Sequence, residues 1–348
     1  MLKRRRFLKQ AGVALAFPAI VRAKSERPLR TAVIGVGGRC VNHWNWLKSD
    51  TEVVALCDVD TAVLSKVDPQ YKGAARGRTA GALWPEAKRF QDYRELFETP
   101  DGFDAAIVCT PDHHHVYPVC RALDLGKAVF CEKPLSWSVE EARTITDLVG
   151  KRRVATQMGN QGTGSMGWRL AHALYHGGAI GKVTRVHAWM NKAGNATRLG
   201  ASRPEGADPF PDTLNWDHWI GPAAERPYKS GIYHPKKWRS WCDFSNGTLG
   251  DFGCHTLNAF FRVLEPGYPE SVEVLDSTPF NGETWPKGQT LRWRFPEAPD
   301  RPTFDLTWYE GEHLKRVPLP EAMRGRKTSH GGLVIEGERG VIHVIGRS

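Results

Sequence analysis

The stretch Leu29-Arg30-Thr31-Ala32-Val33-Ile34-Gly35-Val36-Gly37-Gly38-Arg39-Cys40 decides the fold. A mostly apolar run of strand length is closed by glycines and leads into a segment able to start a helix, which is how a βα unit opens. Working outward, the pattern repeats. Val53–Asp58 is an apolar run closed by an acid, Ala105–Thr110 is followed by Pro111, and Lys127–Cys131 is followed by Glu132-Lys133-Pro134. Helical segments lie between, notably His115–Leu125 and Val139–Val149. Short apolar strands separated by helices predict a doubly wound parallel sheet with right-handed crossovers.

The character changes after about residue 155. A helix around Trp168–His176 precedes a strand, Val183–Asn191, and a long irregular stretch rich in Gly, Pro and Trp follows to Asn246. A helix from about Leu249 to Leu264 then leads to strand-like runs at Ser271–Ser277, Thr290–Phe295, Thr303–Tyr309 and Leu333–Ile345. Strands grouped without intervening helices predict a largely antiparallel sheet. The expected organisation is therefore an α/β chain. A Rossmann domain spans residues 30–154, and an α+β substrate-binding domain spans 155–348, after a signal (1–23) and a linker (24–29).

The glycine turn predicts a dinucleotide site. Gly35 permits the tight turn, Gly37 and Gly38 let the backbone approach a pyrophosphate, and Arg39 opens the helix whose N–H groups face the phosphates. The third fingerprint position is Cys40 rather than Gly or Ala. Asp58, 23 residues beyond Gly35 at the end of the second strand, can accept hydrogen bonds from ribose hydroxyls. It would repel a 2′-phosphate, so NAD is expected rather than NADP.

Composition excludes several classes. The formal charge is +10, but six positives fall within residues 1–23, which hold no acid, leaving +4 elsewhere. No later basic arm points to nucleic acid. No stretch of 18 apolar residues is present, so no membrane association beyond export is expected. Seven cysteines without a Cys-x-x-Cys give neither a disulfide framework nor a thiolate zinc site. His113-His114-His115 cannot all face one ion, because adjacent side chains diverge on strand and helix alike, so no metal is expected.

Arg4-Arg5-Arg6-Phe7-Leu8-Lys9 resembles the twin-arginine motif. A short apolar run, Ala11–Val21, follows it, and then Val21-Arg22-Ala23 at a cleavage-like spacing. The expected location is periplasmic or otherwise exported. That route carries folded proteins, which suits a chain that takes up its dinucleotide before leaving the cytoplasm.

Two further blocks carry chemistry. Thr110-Pro111-Asp112-His113-His114-His115 and Glu132-Lys133-Pro134 end the third and fourth strands, at the sheet edge where ligands bind in open α/β folds. Gly250-Asp251-Phe252-Gly253-Cys254-His255 sets an acid and an imidazole four residues apart, on one face of a helix. An imidazole can accept the proton of a hydroxyl as hydride leaves the same carbon. These blocks and the glycine turn resemble the glucose–fructose oxidoreductase, inositol dehydrogenase and rhizopine catabolism family (Gfo/Idh/MocA), over nearly the whole chain after the signal.

The resemblance implies a catalytic set of Lys133, Asp251 and His255. It implies nicotinamide-side contacts from Thr110, Pro111, His115, Glu132 and Lys133, and the family's sheet-to-sheet homo-oligomer. Asn258 stands where many relatives carry another acid. Relatives usually continue beyond the point equivalent to Ser348, so a C-terminally shortened second domain is expected. Polar and aromatic walls for a carbohydrate are expected from Gln157, Asn160, Tyr233, Trp238 and Arg239. Aromatic faces with amide donors suit sugars, although such tryptophans also serve as packing residues.

The leading function is NAD-dependent hydride transfer to or from a sugar or polyol. The alternatives are a redox-neutral glycosidase that oxidises, eliminates, hydrates and reduces on retained NAD, and a non-catalytic dinucleotide-binding remnant.

Overall fold

The computed structural model describes residues 27–65, 79–191, 196–299, 301–326 and 328–345. The expected export signal, residues 1–23, lies outside them. The first sheet contains β1 (Leu29–Ile34), β2 (Thr51–Cys57), β3 (Lys88–Phe90), β4 (Ala105–Val108), β5 (Ala128–Glu132) and β6 (Thr156–Gly159). Their order is β3-β2-β1-β4-β5-β6, and all pairs are parallel. Strand order reverses between β1 and β4, which opens a crevice at their carboxyl ends.

Burial on both faces explains the uninterrupted apolar runs. Ala32 and Ile34 of β1 face one core with Ala106, Val108, Val119, Ala122 and Leu123, while Val33 faces another with Trp44, Leu47, Leu56 and Ile107. The covering helices are α1 (Trp44–Asp50), α2 (Val116–Asp124) and α3 (Val139–Arg152). Helix α3 starts on a capping box in which Ser138 accepts the Glu141 N–H and Glu141 accepts the Ser138 N–H. Such a cap contributes about 1 kcal/mol.

Two expectations are corrected here. The domain boundary placed after residue 154 falls one strand early, because β6 pairs with β5 through Val129/Thr156 to Glu132/Gly159. Leu333–Ile345 is a hairpin of two strands, broken at Glu338 and Arg339. Strand β3, Lys-Arg-Phe, was not anticipated, because a three-residue edge strand lacks an apolar period.

The second sheet contains β7 (Val183–Met190), β8 (Ser271–Ser277), β9 (Gly288–Phe295), β10 (Phe304–Gly311), β11 (Gly331–Gly337) and β12 (Gly340–Ile345), in the order β12-β11-β7-β10-β9-β8. Only β7 and β10 pair in parallel. Helices α4 (Met166–His176) and α5 (Gly247–Leu264) cover one face of this sheet. Thr256, Ala259, Phe260 and Val263 form the buried stripe of α5, and Ala259, Phe260 and Val263 pack with Val186, Leu306, Trp308 and Ile335.

The irregular stretch before α5 folds into an aromatic cluster that includes Trp216, Trp219, Tyr233, Trp241 and Phe244. This cluster is bound to the Rossmann domain. The Trp219 carbonyl lies 3.1 Å from His113 Nε2 and 2.8 Å from His114 Nε2. The Thr61 N–H donates to Thr213 O at 2.8 Å, and the Asn215 N–H to Val59 O at 2.9 Å. These bonds fix α5 over the carboxyl edge of the first sheet.

Candidate active site

Lys133 leaves the end of β5 ahead of a cis peptide to Pro134, and Asp251 and His255 sit one turn apart on the polar side of α5. The Lys133 ammonium donates to Asp251 Oδ1 and, at 2.7 Å, to the Asp251 carbonyl. Arg239 Nε approaches the other carboxyl oxygen at 3.5 Å. All three groups face a cavity of about 630 Å³, whose lining also includes Arg39, Thr110, Asp112, Glu132, Trp238 and His255.

Electrostatics separate the two nearby acids. Burial alone would raise the Asp251 carboxyl, but Lys133 and Arg239 outweigh it and hold it below its ordinary value. Burial pushes Asp112 up to about 7, and the Asp251 charge adds to the effect. Burial and then the Lys133 charge lower His255, so its ring is neutral near pH 7. His255 Nδ1 is buried and has no hydrogen-bond partner among the described residues.

The glycine turn has the shape expected of it. Gly35 has φ +77, and a Cβ there would lie 2.8 Å from the Cys109 carbonyl carbon and the Thr110 nitrogen. Gly38 has φ +47 and meets nothing within 4 Å. The segment after it is first a 3-10 turn, Gly38–His43, and only then α1. Asp58 Oδ2 accepts the Val36 N–H at 3.0 Å and the Gly37 N–H at 3.3 Å, and Oδ1 accepts the Asp60 N–H at 3.1 Å. Burial pushes this carboxyl up to about 6 despite those bonds. Asp58 thus braces the turn, and a carboxylate's remaining lone pairs can still accept hydroxyls.

Arg39 and Glu132 both reach the cavity, but they also hold each other. Glu132 is buried, with Oε1 at 3.0 Å from Arg39 Nε and 2.6 Å from His43 Nε2. His43 and Asn42 line the cavity and were missed in the sequence. His43 stands four residues after Arg39, a helical spacing that would have marked it. Asp112 and Gln161 also line the cavity.

Five of the expected contact residues are placed outside the cavity lining. His115 is buried with Nδ1 2.6 Å from Pro134 O and Nε2 2.9 Å from Thr110 O, so it ties the ends of β4 and β5 together and does not line the cavity. Pro111 begins the turn Asp112–His114 rather than facing the cavity. Gln157 is exposed and donates to the Met158 carbonyl at 2.8 Å. Tyr233 is 1% exposed inside the aromatic cluster, where packing has claimed the ring.

Asn160 also misses the cavity lining, and donates to Cys254 O at 2.7 Å, joining β6 to α5. Trp238 and Arg239 do line the cavity, with the guanidinium 4.1 Å from the indole ring centroid.

Comparison with known proteins agrees with this architecture. Residues 29–160 match the model of an oxidoreductase family with an NAD-binding Rossmann fold, and residues 195–281 match that of its C-terminal alpha/beta domain. The two models together span more than half of the chain, and they leave residues 282–348 unmatched.

Among curated relatives, scyllo-inositol 2-dehydrogenase (NAD(+)) of Bacillus subtilis is 32% identical over 157 residues, 45% of this chain and 43% of the relative. Inositol 2-dehydrogenase of Salmonella typhimurium is 28% identical over 168 residues, 46% and 45% of the two chains. Each match therefore spans less than half the length of the relative.

Among solved structures, the WlbA dehydrogenase from Bordetella pertussis, in complex with NADH and UDP-GlcNAcA, has a TM-score of 0.60 at 16% identity. It covers 91% of this chain and 78% of its own. The scyllo-inositol dehydrogenase from Lactobacillus casei, with bound NAD(H) and scyllo-inositol, has a TM-score of 0.57 at 15% identity, covering 91% and 76%. At these identities the likeness shows the fold.

Proposed function

Given that this chain belongs to the Gfo/Idh/MocA family of oxidoreductases, we propose that it oxidises a secondary hydroxyl of a sugar, cyclitol or sugar derivative, with NAD as hydride acceptor. The observation that carries this reading is the convergence of Lys133, Asp251 and His255 on one cavity beside the glycine turn. The residues present fit a dinucleotide. Gly38 leaves open space at the turn, and the buried Thr110 Oγ1 has no hydrogen-bond partner among the described residues.

When bound, NAD supplies the hydride acceptor, and the rest falls to the protein. Gly35, Gly37 and Gly38 shape the phosphate cradle, and Asp58 receives ribose hydroxyls. Thr110, Glu132 and Lys133 lie toward the nicotinamide end. Neutral His255, which lines the cavity, accepts the hydroxyl proton. Lys133 steadies the developing alkoxide with its ammonium, and Asp251 holds that ammonium in place. Supplied from separate domains, these groups meet only when both are docked.

The inositol dehydrogenases among the relatives support cyclitols and neutral sugars as the first compounds of a panel that also includes sugar acids. The test is mass spectrometry of the cofactor in purified protein, then incubation of the NAD-loaded enzyme with that panel. Growth of the NADH absorbance band is expected. No change across the panel, with full NAD occupancy, overturns the proposal. Cleavage of a glycoside without net NADH would replace it with the redox-neutral reaction. We also propose that residues 1–23 direct twin-arginine export.

A further inference from the structure

We propose that the substrate of this cavity carries a carboxylate and that Arg239 is the residue that receives it; this rests on the oxidoreductase reading of the same site. Three lysine and arginine side chains line the cavity: Arg39, Lys133 and Arg239. Arg39 is committed to Glu132 at 3.0 Å, and Lys133 to Asp251. Arg239 reaches only the far oxygen of that same Asp251, at 3.5 Å, which is long for a charged hydrogen bond. One carboxylate is thus shared by two cations, and one positive charge lacks a close partner of its own.

The orientation of Arg239 is fixed as well. Its guanidinium lies 4.1 Å from the centroid of the Trp238 ring, and that indole is buried. With Nε turned to Asp251 and one face covered, the two terminal nitrogens have no hydrogen-bond partner among the described residues. They form a flat edge of parallel donors, the shape that matches a carboxylate through two bonds. The side chain is only 22% exposed, so water screens this charge less than it would on the surface.

A neutral polyol offers hydroxyls but no charge, and would leave Arg239 with only its long contact to Asp251. Lys133 and Arg239 bind opposite oxygens of one carboxyl group, so the anion is received close to the reacting hydroxyl. A hexuronic or aldonic acid has that arrangement.

The test compares kcat/KM of the NAD-loaded enzyme for glucuronate and galacturonate against glucose and galactose, with calorimetric binding of each. At least tenfold preference for the acids is expected, as for one charged hydrogen-bonded pair. Arg239→Gln should erase that preference, mainly through KM, and Arg239→Lys should restore only part of it. Preference for the neutral sugars, or an equal loss on both classes in Arg239→Gln, overturns the proposal. If no sugar is oxidised but uronates bind the wild-type holoenzyme and not Arg239→Gln, the anion site stands and the dehydrogenase reading falls. Absence of uronate binding to the wild type sinks the anion site alone.

Discussion

Lys133 and Asp251 are 118 residues apart in the chain, one ending a Rossmann strand and the other one turn into a helix of the second domain. The ammonium of the first donates to both the side chain and the main-chain carbonyl of the second. That double attachment removes much of the freedom of a long flexible side chain, and it sets the ammonium against the cavity that His255 also faces.

Lys133→Met should therefore lower kcat by about a hundredfold or more while leaving NAD bound. It should also destabilise the fold by about 1–3 kcal/mol, because it leaves the largely buried Asp251 with only the longer contact to Arg239. Single-turnover kinetics and denaturant melts check the two effects separately. Retention of near-full turnover would remove Lys133 from the mechanism.

The two glycines of the turn should fail in different ways. Gly35→Ala forces a Cβ against the backbone of Cys109 and Thr110 at positive φ, so a loss of at least ~2 kcal/mol in stability is expected. Gly38→Ala meets no protein atom and should cost only about 1 kcal/mol of backbone strain, but it occupies the space a phosphate would use. Its mark should be reduced NAD content at a nearly normal melting temperature. Mass spectrometry beside calorimetry separates the pair.

Asp112 gives a pH signature. Burial pushes its carboxyl up to about 7 from an ordinary 3.8, so the folded state holds a proton that the unfolded chain has released between those values. Stability from this group is full below about pH 4 and is lost as pH rises through about 7, by up to ~4 kcal/mol. Asp251 has the opposite sign: its depressed value adds stability above its unfolded range, lost as pH falls through the folded value. Asp112→Asn should flatten the decline between pH 5 and 8 in the cofactor-free protein. An unchanged slope would refute the assignment.

Replacing Arg4 and Arg5 with lysine should hold the protein in the cytoplasm, as measured by fractionation of cells making the full chain. Unimpaired export would rule out the twin-arginine route.

Much of this site was legible in the sequence because its chemistry sits at punctuation points. Gly35, Asp58, Thr110 and Lys133 mark strand ends, and strand ends are visible as breaks in apolar runs. Asp251 and His255 were readable from a helical interval. The aromatic stretch was opaque for a physical reason: Tyr233 and Trp238 have the same kind of side chain, are five residues apart and share one core cluster, yet only Trp238 also lines the cavity. Nothing local distinguishes them, since their fates depend on which neighbours the irregular chain brings up. His115 misled differently. It stands at a ligand-binding edge, but its two nitrogens face carbonyls of adjoining loops, one of which takes its single N–H.

The hydrogen bonds from His113 and His114 to the Trp219 carbonyl have a kinetic corollary. They act as a hinge pin that sets the tilt of one half of the molecule on the other, and so the gap across which Lys133 meets Asp251. Misalignment of about 1 Å in a reacting geometry can cost about a hundredfold in rate. Turnover should therefore depend on residues that never touch the substrate, and laboratory evolution for speed would find improvements along that seam as readily as in the cavity wall.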